Sequence, residues 1–239
     1  MIRFDEIRAD QEYSCQQALD LYKSPACKSL VTQAAIGRRL RFLEIPAVAP
    51  KDAFRVCLCE DDYPGWLAVT AMHQLAVAPQ RYRPPTPTVS GIQTCIPDVI
   101  RFTHRAMAHP NTYLWGGTIG PNYDCSGLMQ AAFASTGVML PRDSYQQEAF
   151  ADPVKIPHLH SGDLLFFGTG DRTTHVALYL GDGQYIHSSG QAQGRNGIGL
   201  DSITDLSDPI SRTYYEQLRG AGRVIQSYYP TGSPILCRE

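Results

Sequence analysis

The stretch "YDCSGLMQAAFASTG", Tyr123 to Gly137, decides the reading of this chain. It sets a cysteine between an aspartate and a serine, just before a run with helical spacing. Leu128, Ala131, Ala132 and Ser135 fall on one face at steps of three and four, and Met129 and Phe133 widen it. Asn122 or Asp124 can cap the helix and Gly137 can end it. Cys125 then stands in the first turn, where unpaired N–H groups and about half a positive charge gather. Such a place favours thiolate, whose pKa can fall from ~8.5 towards ~3.5. Thiolate is a nucleophile, and the same N–H groups can receive an oxyanion during acyl transfer. Gly127 lets another segment approach the backbone closely.

A nucleophilic thiol needs a base and a group to orient that base. Of the seven histidines, His175 and His187 stand out in "HVALYLGDGQYIH", where two apolar runs flank the turn signal "GDG". A turn centred on Asp182 pairs His187 with Ala177 and His175 with Ser189. Both rings then lie on one face of the ribbon as diagonal neighbours, at most about 7–8 Å apart between Cβ atoms. A two-residue turn would slip the pairing by one and send the rings to opposite faces. The chemistry needs the first register, with His175 meeting the thiol and His187 holding the other ring nitrogen.

Working outward, "APQRYRPPTPTVSG" (Ala78 to Gly91) carries four prolines and reads as a semi-rigid linker. It divides the chain into domains 1–85 and 86–239. Before it, "YSCQQALDLY", "SLVTQAAIGRRLRFLE", "FRVCLCE" and "GWLAVTAM" read as short strands between turn signals, which suggests a small β-barrel. Cys57 and Cys59 of "CLC" would face one side of a strand as small core residues. After the linker, "CIPDVIRFTHRAMAH" has helical spacing. "DLLFFG", the histidine ribbon and "GRVIQSYY" then read as strands, so helices followed by strands give an α+β domain.

The 239 residues carry a formal net charge of −2, which argues against binding nucleic acid or a membrane surface through bulk charge. No window has the ~18 consecutive apolar residues of a membrane span. The opening "MIRFDEIRADQEYS" has no apolar leader core, and the odd count of seven cysteines argues against a disulfide framework, so a cytoplasmic location is expected.

Taken in order, "YLWGG" (Tyr113 to Gly117), "DCSG", "LPRDSYQQ" (Leu140 to Gln147), "SGDLLFF" and "HVALYLGDGQYIHSSG" resemble the NlpC-type cell-wall cysteine peptidases, across about residues 95–228. "TQAAIGRRL" and "EDDYPGWL" resemble a bacterial SH3-like domain, so the whole chain resembles the gamma-D-glutamyl-diamino-acid endopeptidases. The resemblance implies a papain-like α+β fold behind a small SH3-like barrel, without cofactor or metal. It implies Cys125 as nucleophile, His175 as base and His187 as orienting residue. Tyr113 and Ser126 would support the oxyanion, and Asp124, Ser126 and Arg142 would contact substrate, with Gln146 in the same post-helix pattern.

The implied substrate is a murein peptide, cut between γ-D-glutamate and a diamino acid such as diaminopimelate. In the cytoplasm that substrate would be a recycled fragment with a free amino-terminal L-alanine. An acidic loop on the barrel, Glu60, Asp61, Asp62 and Tyr63, is a candidate to bind the ammonium group; a solvated turn is the alternative. Three other readings stay open: an acyltransferase or amidase using the same thiol, a non-enzymatic wall-peptide binder, and a zinc site of Cys125, His175 and His187.

Overall fold

The computed structural model describes residues 2–235. The chain forms two compact units. One runs to Pro84 and takes the chain back from Tyr229 onward; the other is Pro85–Tyr228. Asp62 and Arg41 hold the returning segment: Arg41 Nη2 donates to the Gly232 carbonyl at 2.7 Å. Asp62 accepts hydrogen bonds from the Thr231 amide at 2.6 Å and its hydroxyl at 3.1 Å, and the Ile235 amide donates to the Asp62 carbonyl at 2.9 Å.

The first unit holds seven antiparallel strands: β1 Tyr13–Cys15, β2 Leu19–Tyr22, β3 Leu30–Ala34, β4 Arg39–Phe42, β5 Ala53–Leu58, β6 Pro64–Ala68 and β7 Leu75–Val77. They lie in the order β3-β2-β6-β5-β4-β1-β7. Period-two alternation is plain in β2, where Leu19 and Leu21 are buried and Asp20 is exposed, and in β4, where Leu40 and Phe42 point inward. The core gathers Tyr13, Leu21, Leu40, Val56, Leu58 and Leu67, with Phe42 meeting Phe54 edge-on at 5.3 Å. The run "SLVTQAAIGRRLRFLE" is not one strand. It breaks at Gly37, where φ is +86°, and its halves β3 and β4 find different neighbours. Cys57 and Cys59 are both buried.

The acidic segment is neither an open loop nor a solvated turn. Glu60, Asp61, Asp62 and Tyr63 are all buried. Arg38 pairs with Glu60 at 3.3 Å and with Asp61 at 2.9 Å, and Arg41 reaches Asp62 at 3.4 Å. Glu60 also accepts the Arg39 amide at 2.7 Å. Carboxylates are rarely buried unless paired, and the arginines of β4 and its approach supply the partners.

The second unit begins with helix α1, Val89–Ala108, which starts inside the stretch read as linker because Thr88 caps it, accepting the Gly91 amide at 3.1 Å. The strand pair β8 (Thr118–Ile119) and β9 (Asn122–Tyr123) leads into α2, Cys125–Ala134, followed by α3, Ser144–Phe150. Then come β10 (Asp152–Val154), β11 (Leu164–Phe167), β12 (His175–Gly181), β13 (Gln184–Ser189) and β14 (Gly197–Ser202), with α4 (Pro209–Glu216) and β15 (Leu218–Arg223) last. The sheet order is β10-β15-β11-β12-β13-β14.

Both sheet faces are covered. Leu164, Phe166, Val176, Leu178 and Ile186 pack in one core with Leu128, Met129, Ala132 and Phe133 of α2. Leu165, Phe167, Ala177, Tyr179 and Tyr185 pack in another with Tyr214 of α4. The expected "GRVIQSYY" strand starts earlier than read, since β15 ends at Arg223. Among the described residues, no helix is long and apolar enough to cross a membrane.

Candidate active site

Asp124 fixes the start of α2. It is the N-cap, accepting the Gly127 amide at 2.7 Å, and its other oxygen takes the Gly116 amide at 2.8 Å. Arg142 grips it with both guanidinium nitrogens, at 3.1 and 2.5 Å, and donates to the Ser126 hydroxyl at 2.9 Å. Arg142 is 1% exposed. Asp124, Ser126 and Arg142, which the resemblance implies as substrate contacts, are all buried and bonded to one another. Their polar atoms are turned on one another and hold the helix start in place. Gln147 adds to the frame, donating to the carbonyls of Ser126 and Pro141 at 3.0 and 2.9 Å. Gln146 reaches back to the Asp143 amide at 3.0 Å, closing a capping box on α3. Gly127 is needed sterically: a Cβ there would lie 2.0 Å from the Gly117 carbonyl oxygen.

Cys125 is buried in this first turn, and the backbone N–H groups of Val176 and Ser126 point at its sulfur. Burial, helped by the Asp124 charge, pushes its pKa up to about 12, against the pull of those two amides and Arg142. The expected thiolate is thus outweighed by desolvation, because the helix start faces protein rather than water.

Val176 neighbours His175, so the amide at the sulfur belongs to the ribbon that carries the base. The ribbon register is the one the chemistry needs. Leu178 faces Ile186 and Tyr179 faces Tyr185, while at the tip Gly181 faces Gln184. The tip is therefore a two-residue turn at Asp182 and Gly183, both with positive φ. A bulge between Tyr179 and Gly181 adds the residue that restores the inner register. Turn length alone would have put the rings on opposite faces; the bulge puts them together. Nε2 of His175 and Nδ1 of His187 are 2.7 Å apart.

Burial, then the neighbouring His187, hold the His175 pKa well below its ordinary value, against the pull of Asp201. Among the described residues, no three His, Cys, Asp or Glu side chains are grouped so that they could hold a metal ion.

Two residues that sequence reasoning missed complete the site. Asp201 of β14 accepts from Nε2 of His187 at 2.7 Å. Tyr214 of α4 stacks on His175 with centroids 4.6 Å apart, and its hydroxyl meets the Ser189 hydroxyl at 2.7 Å. The signal for Asp201 was the alternation of "GIGLDS", which makes a strand beside the histidine ribbon. Tyr214 lies in "RTYYEQLRGAGRV", where the end of α4 is followed by β15.

Tyr113 sits beside Gly190, where an added Cβ would lie 3.7 Å from its ring. Burial, then the Cys125 and Asp124 charges, raise its pKa, so its hydroxyl keeps a proton to donate near the sulfur. Glu60, Asp61, Asp62 and Tyr63 belong to the first unit.

Residues 110–219 match the NlpC/P60 family and residues 21–72 the bacterial dipeptidyl-peptidase Sh3 domain. A gamma-D-glutamyl-L-lysine dipeptidyl-peptidase of Bacillus cereus is 45% identical over 80 residues, 32% of this chain and 24% of that protein. A protein of the same name from Bacillus subtilis is 36% identical over 109 residues, 44% of this chain and 33% of its own length. A murein DD-endopeptidase/LD-carboxypeptidase of Escherichia coli is 32% identical over 108 residues, 45% of this chain and 54% of that protein. The chain thus spans between about a quarter and a half of these relatives. With a buried thiol at a helix start beside two linked histidines, it carries a cysteine peptidase domain of the NlpC/P60 family together with a bacterial SH3 domain.

Proposed function

We propose that this chain hydrolyses the bond between γ-D-glutamate and a diamino acid in murein peptides with a free amino-terminal L-alanine. The observation that carries the reading is the linked pair His175–His187 on the two-stranded ribbon whose Val176 amide points at Cys125. The substrate class is supported by the relatives named for γ-D-glutamyl-L-lysine cleavage.

In this mechanism His175 accepts the thiol proton as the sulfur of Cys125 attacks the γ-carbonyl carbon. The carbonyl π electrons move to oxygen, and the tetrahedral oxyanion is met by the Ser126 amide and the Tyr113 hydroxyl. Protonated His175 gives its proton to the departing amine. The thioester is then opened by water, which loses its proton to His175, and the thiol is restored.

The test is mass spectrometry of murein tripeptide and tetrapeptide incubated with the protein and with Cys125→Ala. Release of L-Ala-γ-D-Glu by the wild type, lost by about 10⁴-fold or more in the variant, supports the reading. Blocking the alanine amine is expected to slow cleavage, and equal rates would remove the free terminus from the proposal. Peptides ending in lysine and in diaminopimelate separate the two diamino acids. A cytoplasmic recycling role belongs to the same proposal, and fractionation of the producing cells tests it.

A further inference from the structure

We infer that Asp201 is a positioning residue that dictates where the protons sit on both histidines, and so which nitrogen of His175 is left as a proton acceptor. The inference rests on the hydrolytic reading above. In β14, Asp201 stands opposite Tyr185, and Gly199 stands opposite His187. The carboxylate therefore lies diagonally across from the His187 ring, on the same sheet face. Gly199 leaves the facing position empty, and the Arg195 stem occupies that space, its Cδ 3.0 Å from where a Cβ would be.

Four donor contacts surround the carboxylate. Oδ2 takes His187 Nε2 at 2.7 Å and Arg195 Nε at 3.1 Å, while Oδ1 takes Arg195 Nη2 at 2.5 Å and the Ser211 hydroxyl at 2.9 Å. Burial raises the Asp201 pKa, but the bonds from His187, Arg195 and Ser211 outweigh it, so the group stays ionised. An ionised carboxylate only accepts. Nε2 of His187 must then carry hydrogen, and in a neutral ring Nδ1 is a lone pair. That lone pair, 2.7 Å from His175, must accept, so Nε2 of His175 also carries hydrogen. The remaining atom, Nδ1 of His175, is left as the free acceptor. One carboxylate thus fixes the protons of two rings in series.

Other titratable groups face the pair as well. Tyr185 comes from β13, with its centroid 5.2 Å from that of His187, and Tyr214 from α4. Cys125 comes from α2 and Arg195 from the approach to β14. Asp208, the N-cap of α4, lies 3.3 Å from Arg195. Burial above all, with a smaller push from Arg195, holds the His187 pKa below its ordinary value against the pull of Asp201.

The test begins with the wild-type full chain and needs no substrate. Long-range proton–nitrogen NMR correlation on histidine-labelled protein at neutral pH is expected to show Nε2–H on both His175 and His187. Hydrogen on Nδ1 of His175 would overturn the inference even if no variant folds. Asp201→Asn then turns an amide donor either on His187, inverting both rings, or on Arg195, breaking that clamp. Its kcat is expected to fall by about 10⁴-fold with KM within about threefold. Alkylation of Cys125 by iodoacetamide should slow in parallel, which reads the base without any peptide. Unchanged tautomers with kcat within about threefold would refute the inference. If the wild type cleaves no murein peptide, the functional reading fails, while the NMR and alkylation results still decide the role of Asp201.

Discussion

Replacing Arg142 with methionine keeps most of the side-chain volume and removes the cation that grips Asp124. The wild-type carboxylate has two guanidinium contacts, two backbone amides and the Ser126 hydroxyl. Removing one member of a buried ion pair costs about 3–5 kcal/mol because the other charge stays behind. Three donors remain on Asp124 after the change, so the lower end, about 3 kcal/mol, is expected. With a urea slope of about 2 kcal/mol/M, the midpoint of the second unit falls by about 1.5 M. Hydrogen exchange of α2 amides across a urea series reads that unit separately. Pairing the change with Asp124→Asn, which keeps an N-cap acceptor, should recover about 2 kcal/mol relative to the sum of the single effects. If Arg142→Met left the midpoint in place and raised only KM, Arg142 would be a substrate contact and not part of the frame that holds the helix start.

Gly127→Ala puts a Cβ within 2.0 Å of the Gly117 carbonyl oxygen and 2.9 Å of Asp124, so the first turn must shift and carry Cys125 with it. Peptide hydrolysis should drop by about 10²-fold or more; a rate within about threefold of wild type would refute the steric argument. Stability should also depend on pH through the two buried rings. His175 and His187 resist protonation when folded but take protons near pH 6.5 when unfolded. As pH falls below ~6.5 the unfolded state binds more protons, and stability falls by up to about 1.4 kcal/mol per pH unit for each ring. Above that pH both states hold neutral rings and their contribution is flat. Urea midpoints measured against pH, with His175→Gln as a control of reduced slope, check this. In the first unit, Arg38→Met leaves Glu60 and Asp61 buried without their shared arginine and should cost about 3–5 kcal/mol in urea unfolding; an unchanged midpoint would mean these carboxylates are already satisfied by other groups.

What was legible in the sequence was local. An aspartate, a cysteine and a glycine at a helix start follow from capping and helical spacing, and the two histidines follow from alternation around a turn signal. Those patterns act over a few residues, so one chain segment contains all the information they need. The α+β order and the small barrel were legible for the same reason, since strand alternation and proline-rich punctuation are near-neighbour properties.

Tertiary structure decided the rest, because each outcome depends on groups far apart in the chain. The bulge beside Gly181, not the turn length, brought His175 and His187 to one face. Arg142, eighteen residues from Asp124, closes on it to form a buried frame. Arg38 and Arg41 took "EDDY" inside, where its pattern of charge had suggested water. Asp201 reached His187 only once β14 paired with β13. Even the pKa of Cys125, which its helix position alone would have lowered, is pushed up by how completely the surrounding protein excludes water. Sequence by itself determined which residue types stand at helix starts and along strands; only the folded chain determined their solvent and their partners, because desolvation and hydrogen bonding act between segments that the sequence holds apart.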